Sequence, residues 1–595
     1  MKSRILAVGL ALAAALAGCS GSNEAPPPPT QTPAPTPTPA ATSDGPGPLS
    51  LPARFVHRTG DNARGQDVFR FETFGNEGFW TNAMRLPQGM AEQRVTPLQA
   101  LQIGLSININ STNAETRGRI TQAVAQINAG TRPDATALGD ASLTMALINQ
   151  NAVIGMVAFA PNGSRKPLGG SGTLNLAAGD RVGVSCAACH SIADGSTLPA
   201  MPLHRTTGTI GAPVDGPTPH QLDIGRIFAT AANSLAYLPF LQFRFDTMNG
   251  ATIGRGSFPG LNVTANSIPQ EAEVDRYLTE VDAGTGERFY PLGQFDDTGD
   301  GIGNPLHIAA LFRQDLAAPF GIDAGNDRLE DFNNNVFVNA LDPTALLTAP
   351  GREFLRQQAG ASGLELADDY ERVLRATGVI PAGRATLDVV PFVRARTGFT
   401  PGTAEAPTGR RVDEQALVDM NGYLDSLPSP RRPADVNLAA AERGREFFRT
   451  LASSGGGGCT ACHQVNPNMF LPPDIVEMTR IYPGYAPIVL AMRMPPLAPI
   501  QNSGGPSPFF DDREIVIEGS RNGTVRGATV VFLLDLPRKT ALLHDDSVRG
   551  GNFTEAANRL LDPARGAQSA HPFFISDATR RAEVIEFLRS LQTDR

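Results

Sequence analysis

Two stretches far apart in the chain repeat apolar residues at helical spacing. In residues 414–427, Leu417, Met420 and Leu424 fall on one face; in residues 580–591, Val584, Phe587 and Leu591 do the same. Both predict amphipathic helices. A third helix is predicted over residues 438–448, where Ala and long side chains dominate, before the run Gly455-Gly456-Gly457-Gly458 breaks it. No equivalent helix is legible immediately before Cys186, where a Gly-rich hairpin is expected instead. Residues 153–160, Val-Ile-Gly-Met-Val-Ala-Phe-Ala, predict a strand, and Pro161-Asn162-Gly163 a turn after it. Residues 69–80 are aromatic-rich and hold the only tryptophan, Trp80, expected in the core before any redox use.

The N-terminus reads differently. Lys2 and Arg4 precede an apolar run, Ile5 to Ala17, too short for a stable membrane span. The run ends in Leu16-Ala17-Gly18-Cys19, which resembles a bacterial lipobox. That resemblance implies lipid attachment at Cys19, and Ser20 in place of Asp implies the outer membrane, facing the periplasm or the cell surface. Residues 20–50 are rich in Pro, Thr and Ala, cannot build a core, and predict an extended tether.

At 595 residues the chain is too long for one core. Its formal charge of −9 argues against nucleic acid as a partner. The five cysteines narrow the chemistry further. Besides Cys19 there are only Cys186-Ala187-Ala188-Cys189-His190 and Cys459-Thr460-Ala461-Cys462-His463. C-x-x-C-H is the attachment pattern of c-type haem. Two residues between the cysteines put both thiols on one edge of a helical turn, and the next histidine can ligate the iron. A redox disulfide needs no such histidine, and structural zinc needs four tetrahedral ligands. Two haem c groups are therefore expected, bound by Cys186, Cys189, His190 and by Cys459, Cys462, His463.

Each motif is followed by a long excursion, an apolar segment with Asp and Gly, and a closing helix, which reads as a weak internal duplication. This layout resembles the bacterial dihaem cytochrome c peroxidase superfamily. That superfamily includes the dihaem enzyme that matures a tryptophan-derived quinone cofactor and the dihaem rubber oxygenases. Leu542-Leu543-His544-Asp545-Asp546-Ser547-Val548 is similar to its F-H-D-G-S-V segment. Residues 318–330, Ala-Pro-Phe-Gly-Ile-Asp-Ala-Gly and onward to Glu330, resemble its W-D-G-R segment, without the tryptophan and arginine. The likeness covers about residues 180–595.

The resemblance implies a mainly α fold with two cytochrome c-like domains. The expected divisions are a signal segment over 1–19, the tether over 20–50, an N-terminal accessory region over 51–178, and haem domains over 179–432 and 433–595. The boundary falls in Pro428-Ser429-Pro430-Arg431-Arg432-Pro433. The function implied is a peroxidase-like redox enzyme, with the haem at Cys186 facing substrate and the haem at Cys459 relaying electrons. The donor would be a small redox protein or a quinone-linked protein. A pure electron carrier and an oxygenase on a hydrophobic substrate are the alternatives.

The sixth iron ligands stay open among several residues. For the first haem, His204 stands fourteen positions after His190, where the family places a displaceable histidine; Met201 and His220 are alternatives. For the second, His571 comes first and His544 second, with Met492 and Met494 behind them. Asp296-Asp297-Thr298-Gly299-Asp300-Gly301 reads either as the start of a calcium loop or as an acidic turn. His307 stands at its twelfth position in place of the usual glutamate.

Overall fold

The computed structural model describes residues 57–241, 267–281, 290–295, 306–317, 326–461, 533–543, 548–565 and 573–593, with isolated residues and pairs between them, His463 and His571 included. Cys19 and the tether, Asp296–Gly301, Cys462, Met492, Met494 and His544 lie outside the described residues. The fold is mainly α. Strands are short and occur in two-stranded ribbons. No helix among the described residues is long and apolar enough to cross a membrane.

Two apolar cores organise the molecule. The larger collects residues from Val68 to Leu427 and adds Leu534. The smaller joins Val436, Ala441, Phe448, Leu536, Phe553, Ile575, Val584 and Phe587. Each core is closed by one pair of crossed helices, and the two pairs repeat each other residue by residue.

In the second pair, helix Leu438–Arg449 crosses helix Ala578–Ser590. Asn437 caps the first by accepting from the Ala440 N–H, and Asp577 caps the second by accepting from Arg580 N–H. Gly444 sits at the contact, where a Cβ would fall 2.0 Å from the Glu583 carbonyl oxygen. Arg443 pairs with Glu583, and the Phe448 and Phe587 rings meet at 5.3 Å.

The first pair is built alike. Helix Asn62–Phe71, capped by Asp61, crosses helix Glu414–Ser426, capped by Asp413. A Cβ on Gly65 would fall 2.1 Å from the Asp419 carbonyl oxygen. Arg64 Nε lies 3.3 Å from Asp419 Oδ2, and the Phe69 and Tyr423 rings meet at 5.8 Å. The first half therefore has a leading helix. It stands far upstream of Cys186 and not directly before it, inside the stretch the sequence sets apart as an accessory region. Burial of each aromatic at these crossings stabilises by roughly 1.5–3 kcal/mol.

Residues 72–185 are inserted between the leading helix and the first motif. Trp80 is buried there against Phe79, Phe228 and Tyr237, a packing role. Strand Met156–Phe159 forms within the expected segment and pairs antiparallel with Arg181–Val184, which delivers the chain to Cys186. The boundary loop is pinned to the C-terminal tail: Ser429 N–H donates to Thr593 Oγ1 and Thr593 N–H to Ser429 Oγ.

Candidate haem-attachment sites

At the first motif, Ser185 is held on both sides. Its N–H donates to Gly155 O and its hydroxyl to Arg70 O. Gly155 has φ +82°, and a Cβ there would fall 2.2 Å from the Ala188 backbone, so glycine is required for the turn to close. The helical turn Ala187–His190 follows, with His190 N–H donating to Cys186 O at 3.1 Å. Cys186 and Cys189 are free thiols, and burial pushes both up to about 12. Burial also holds His190 down at about 4, against the opposing pull of the Ala309 backbone, and its Nδ1 makes no hydrogen bond.

Asp215 fixes the strand that leaves this turn. It pairs with Ser191 in a short ribbon and accepts from Ser191 Oγ at 2.7 Å, Arg70 Nε at 2.6 Å and Tyr423 OH. Arg70 comes from the leading region and Tyr423 from the closing helix, so the helix crossing and the motif share one buried network. Burial, then Asp215 itself, drives the Tyr423 phenol well above its ordinary range. The sequence alone pointed to neither Asp215 nor Tyr423; the only signal was the match of Tyr423 with Phe587 between the closing helices.

His204 ends the short turn Pro202–His204 and is half-buried, next to Leu203, which is 96% exposed. Its carbonyl accepts from Gln102 Nε2. Met201 packs against the larger core. Among the described residues no histidine ring stacks on or faces His190. His220 stacks instead on His307, with centroids 5.5 Å apart and planes 13° apart.

The second motif follows a glycine-built approach. Gly455 and Gly458 have positive φ, and a Cβ on Gly456 would fall 2.2 Å from Thr450 O. His463 N–H donates to Cys459 O at 2.9 Å. The His463 ring lies 6.3 Å from Phe448 and 6.1 Å from His571, with 51° between the imidazoles. Two imidazoles that share a metal through bonds of about 2 Å have centroids roughly 6 Å apart. Burial holds His463 down at about 4. Burial, then the charges of His463 and Arg565, holds His571 down at about 3. Neither Nδ1 makes a hydrogen bond. His571 has φ +56°, in the left-handed region that few residues other than glycine occupy.

The structure thus brings His571 to His463 and leaves His204 without a ring contact to His190. Among the described residues no group of three or more His, Cys, Asp and Glu is arranged to hold a bare metal ion. Comparison with known protein families, with curated proteins and with solved structures finds no match.

Proposed function

We propose that this chain is an extracytoplasmic c-type cytochrome with two covalent haems, acting as an oxidoreductase of the dihaem peroxidase type. The observation that carries the proposal is the contrast between the two motifs. His463 has His571 opposite it at 6.1 Å, whereas the described surroundings of His190 offer no second imidazole. The donor sets suit haem c. Cys186 and Cys189 are free, and desolvation holds the half-buried His190, His463 and His571 neutral, the form in which imidazole ligates a metal.

Haem supplies one-electron redox chemistry and, where a coordination position is open, a place for peroxide or oxygen to react. The protein's own part follows from the side chains. Cys186 and Cys189, with Cys459 and Cys462, would hold the two groups by thioether bonds. His463 and His571 would both ligate the second, which suits a relay. His190 would ligate the first, with the Asp215 network fixing the strand that leaves its turn. Cys19 would anchor the chain to the outer membrane, and a small redox protein or a quinone-linked donor would supply electrons.

Pyridine haemochrome quantitation on protein matured in a cytochrome c-producing host tests the haem count, with two per chain expected. An absorption and EPR spectrum of the oxidised protein then tests the division of labour. One low-spin and one high-spin centre are expected. Two low-spin centres in every redox state, inert to peroxide and oxygen, would replace the enzyme reading with an electron carrier.

A further inference from the structure

His220 and His307 belong to neither attachment motif, yet they sit where the two cores meet. A ladder of hydrogen bonds connects them to the first motif. Gly216 N–H donates to His190 O, Leu311 N–H to Gly216 O, and Thr218 Oγ1 to Ile308 O at 3.0 Å. The segments 216–220 and 307–311 are thus laced together, with His190 beside one end and the stacked imidazoles at the other.

Residues 534–542 approach the same pair from the second half. Lys539 Nζ lies 3.0 Å from His307 Nε2, and Asp535 Oδ2 lies 3.7 Å from His220 Nε2. Arg538 donates to Thr218 O, and Gln221 Nε2 to Thr540 Oγ1. Leu534 belongs to the larger core, while Leu536 and Leu542 pack in the smaller one beside Cys459.

Packing alone does not account for His220. Its Nδ1 is buried without a hydrogen bond and its Nε2 has only the Asp535 carboxylate, 3.7 Å away, a cost that an aliphatic or phenyl side chain would not carry. What the imidazole gives is a flat π face against His307.

We propose that the His220–His307 stack is the junction through which an electron passes between the two haem-bearing halves, a role that rests on the dihaem reading above. Electron tunnelling weakens steeply with distance and faster across gaps than through bonded or tightly packed atoms. The contacts run from the second half through Lys539 and the stacked rings to the 307–311 segment, which is joined through Gly216 to the His190 backbone. One electron leaves the reduced second haem and arrives at the oxidised first one. The imidazoles undergo no net change, and no proton is transferred.

The test uses the full-length holoprotein with both haems counted first; a count below two fails the dihaem reading, independently of the junction. Inter-haem transfer is then followed after rapid photoreduction in the parent, His220→Leu and His307→Leu. The expected result is a rate lower by about an order of magnitude, with both haem spectra and potentials unchanged. His307→Gln, which keeps a polar partner for Lys539 but removes the ring, should slow transfer equally and serves if the leucine variants do not mature. Parental rates in the ring-deleted variants would overturn the junction. So would a shift of the first haem's spectrum in His220→Leu, because that would make His220 an iron ligand.

Discussion

Gly65 lies against the carbonyl of Asp419 so closely that a single added carbon would come within 2.1 Å of its oxygen. The second half repeats this contact between Gly444 and Glu583. With Arg64 and Arg443 on matching acids and Phe69 and Phe448 on matching rings, one helix crossing is used twice, once over each motif.

Substituting either glycine tests how far the crossings hold the halves together. Gly65→Ala and Gly444→Ala should each destabilise by about 1–3 kcal/mol through overpacking against backbone that cannot yield. Calorimetry should show a lowered melting temperature for both. Melting unchanged in both variants would mean that the helices can slide apart without loss.

Tyr423 distinguishes the two crossings, because Phe587 takes its place in the second. Tyr423→Phe removes the hydroxyl that donates to buried Asp215 and should cost about 1–3 kcal/mol. Phe587→Tyr would put a hydroxyl into the smaller apolar core, and should also destabilise. Thermal melts of both variants check the pair; a neutral Tyr423→Phe would remove the Asp215 network as a source of stability.

On the proposed dihaem reading, His571→Ala should convert the second haem from low-spin to high-spin and shift its potential, leaving the first haem's spectrum as it was. The low-temperature EPR signal of each centre reads this directly. If the second centre stays low-spin, its sixth ligand is another residue.

Asp275 gives stability a pH dependence of its own. Burial, with Glu271 adding to it, moves this carboxyl from its ordinary value of 3.8 up to about 6, against the hydrogen bond donated by Ser234. Between those values the folded chain holds a proton that the unfolded chain has released. The contribution to stability is therefore full below about pH 4 and lost as pH rises through 6. Asp275→Asn should match the parent near pH 4 and melt higher than the parent at pH 8. An equal difference at both pH values would count against a raised carboxyl.

Lipid attachment is checked by fractionation. Cys19→Ala should move the protein from the membrane to the soluble fraction, and retention in the membrane would place the anchor elsewhere.

The sequence by itself determined the local chemistry. Two C-x-x-C-H motifs, the apolar stripes of the closing helices and the glycine break before Cys459 are short-range signals, since each depends on residues within a few turns of one another. The first leading helix carried such a signal too: Arg64-Gly65 followed by Phe69 repeats Arg443-Gly444 followed by Phe448. It escaped because the long insertion of residues 72–185 separates it from its motif, and Phe69 to Trp80 read as one aromatic stretch. Only the tertiary structure decided what lies beside the second motif and between the halves. His571 reaches His463, and both His220 and Lys539 reach His307, because separate segments fold back onto one another. No periodicity records such contacts, which are set by packing between distant parts of the chain.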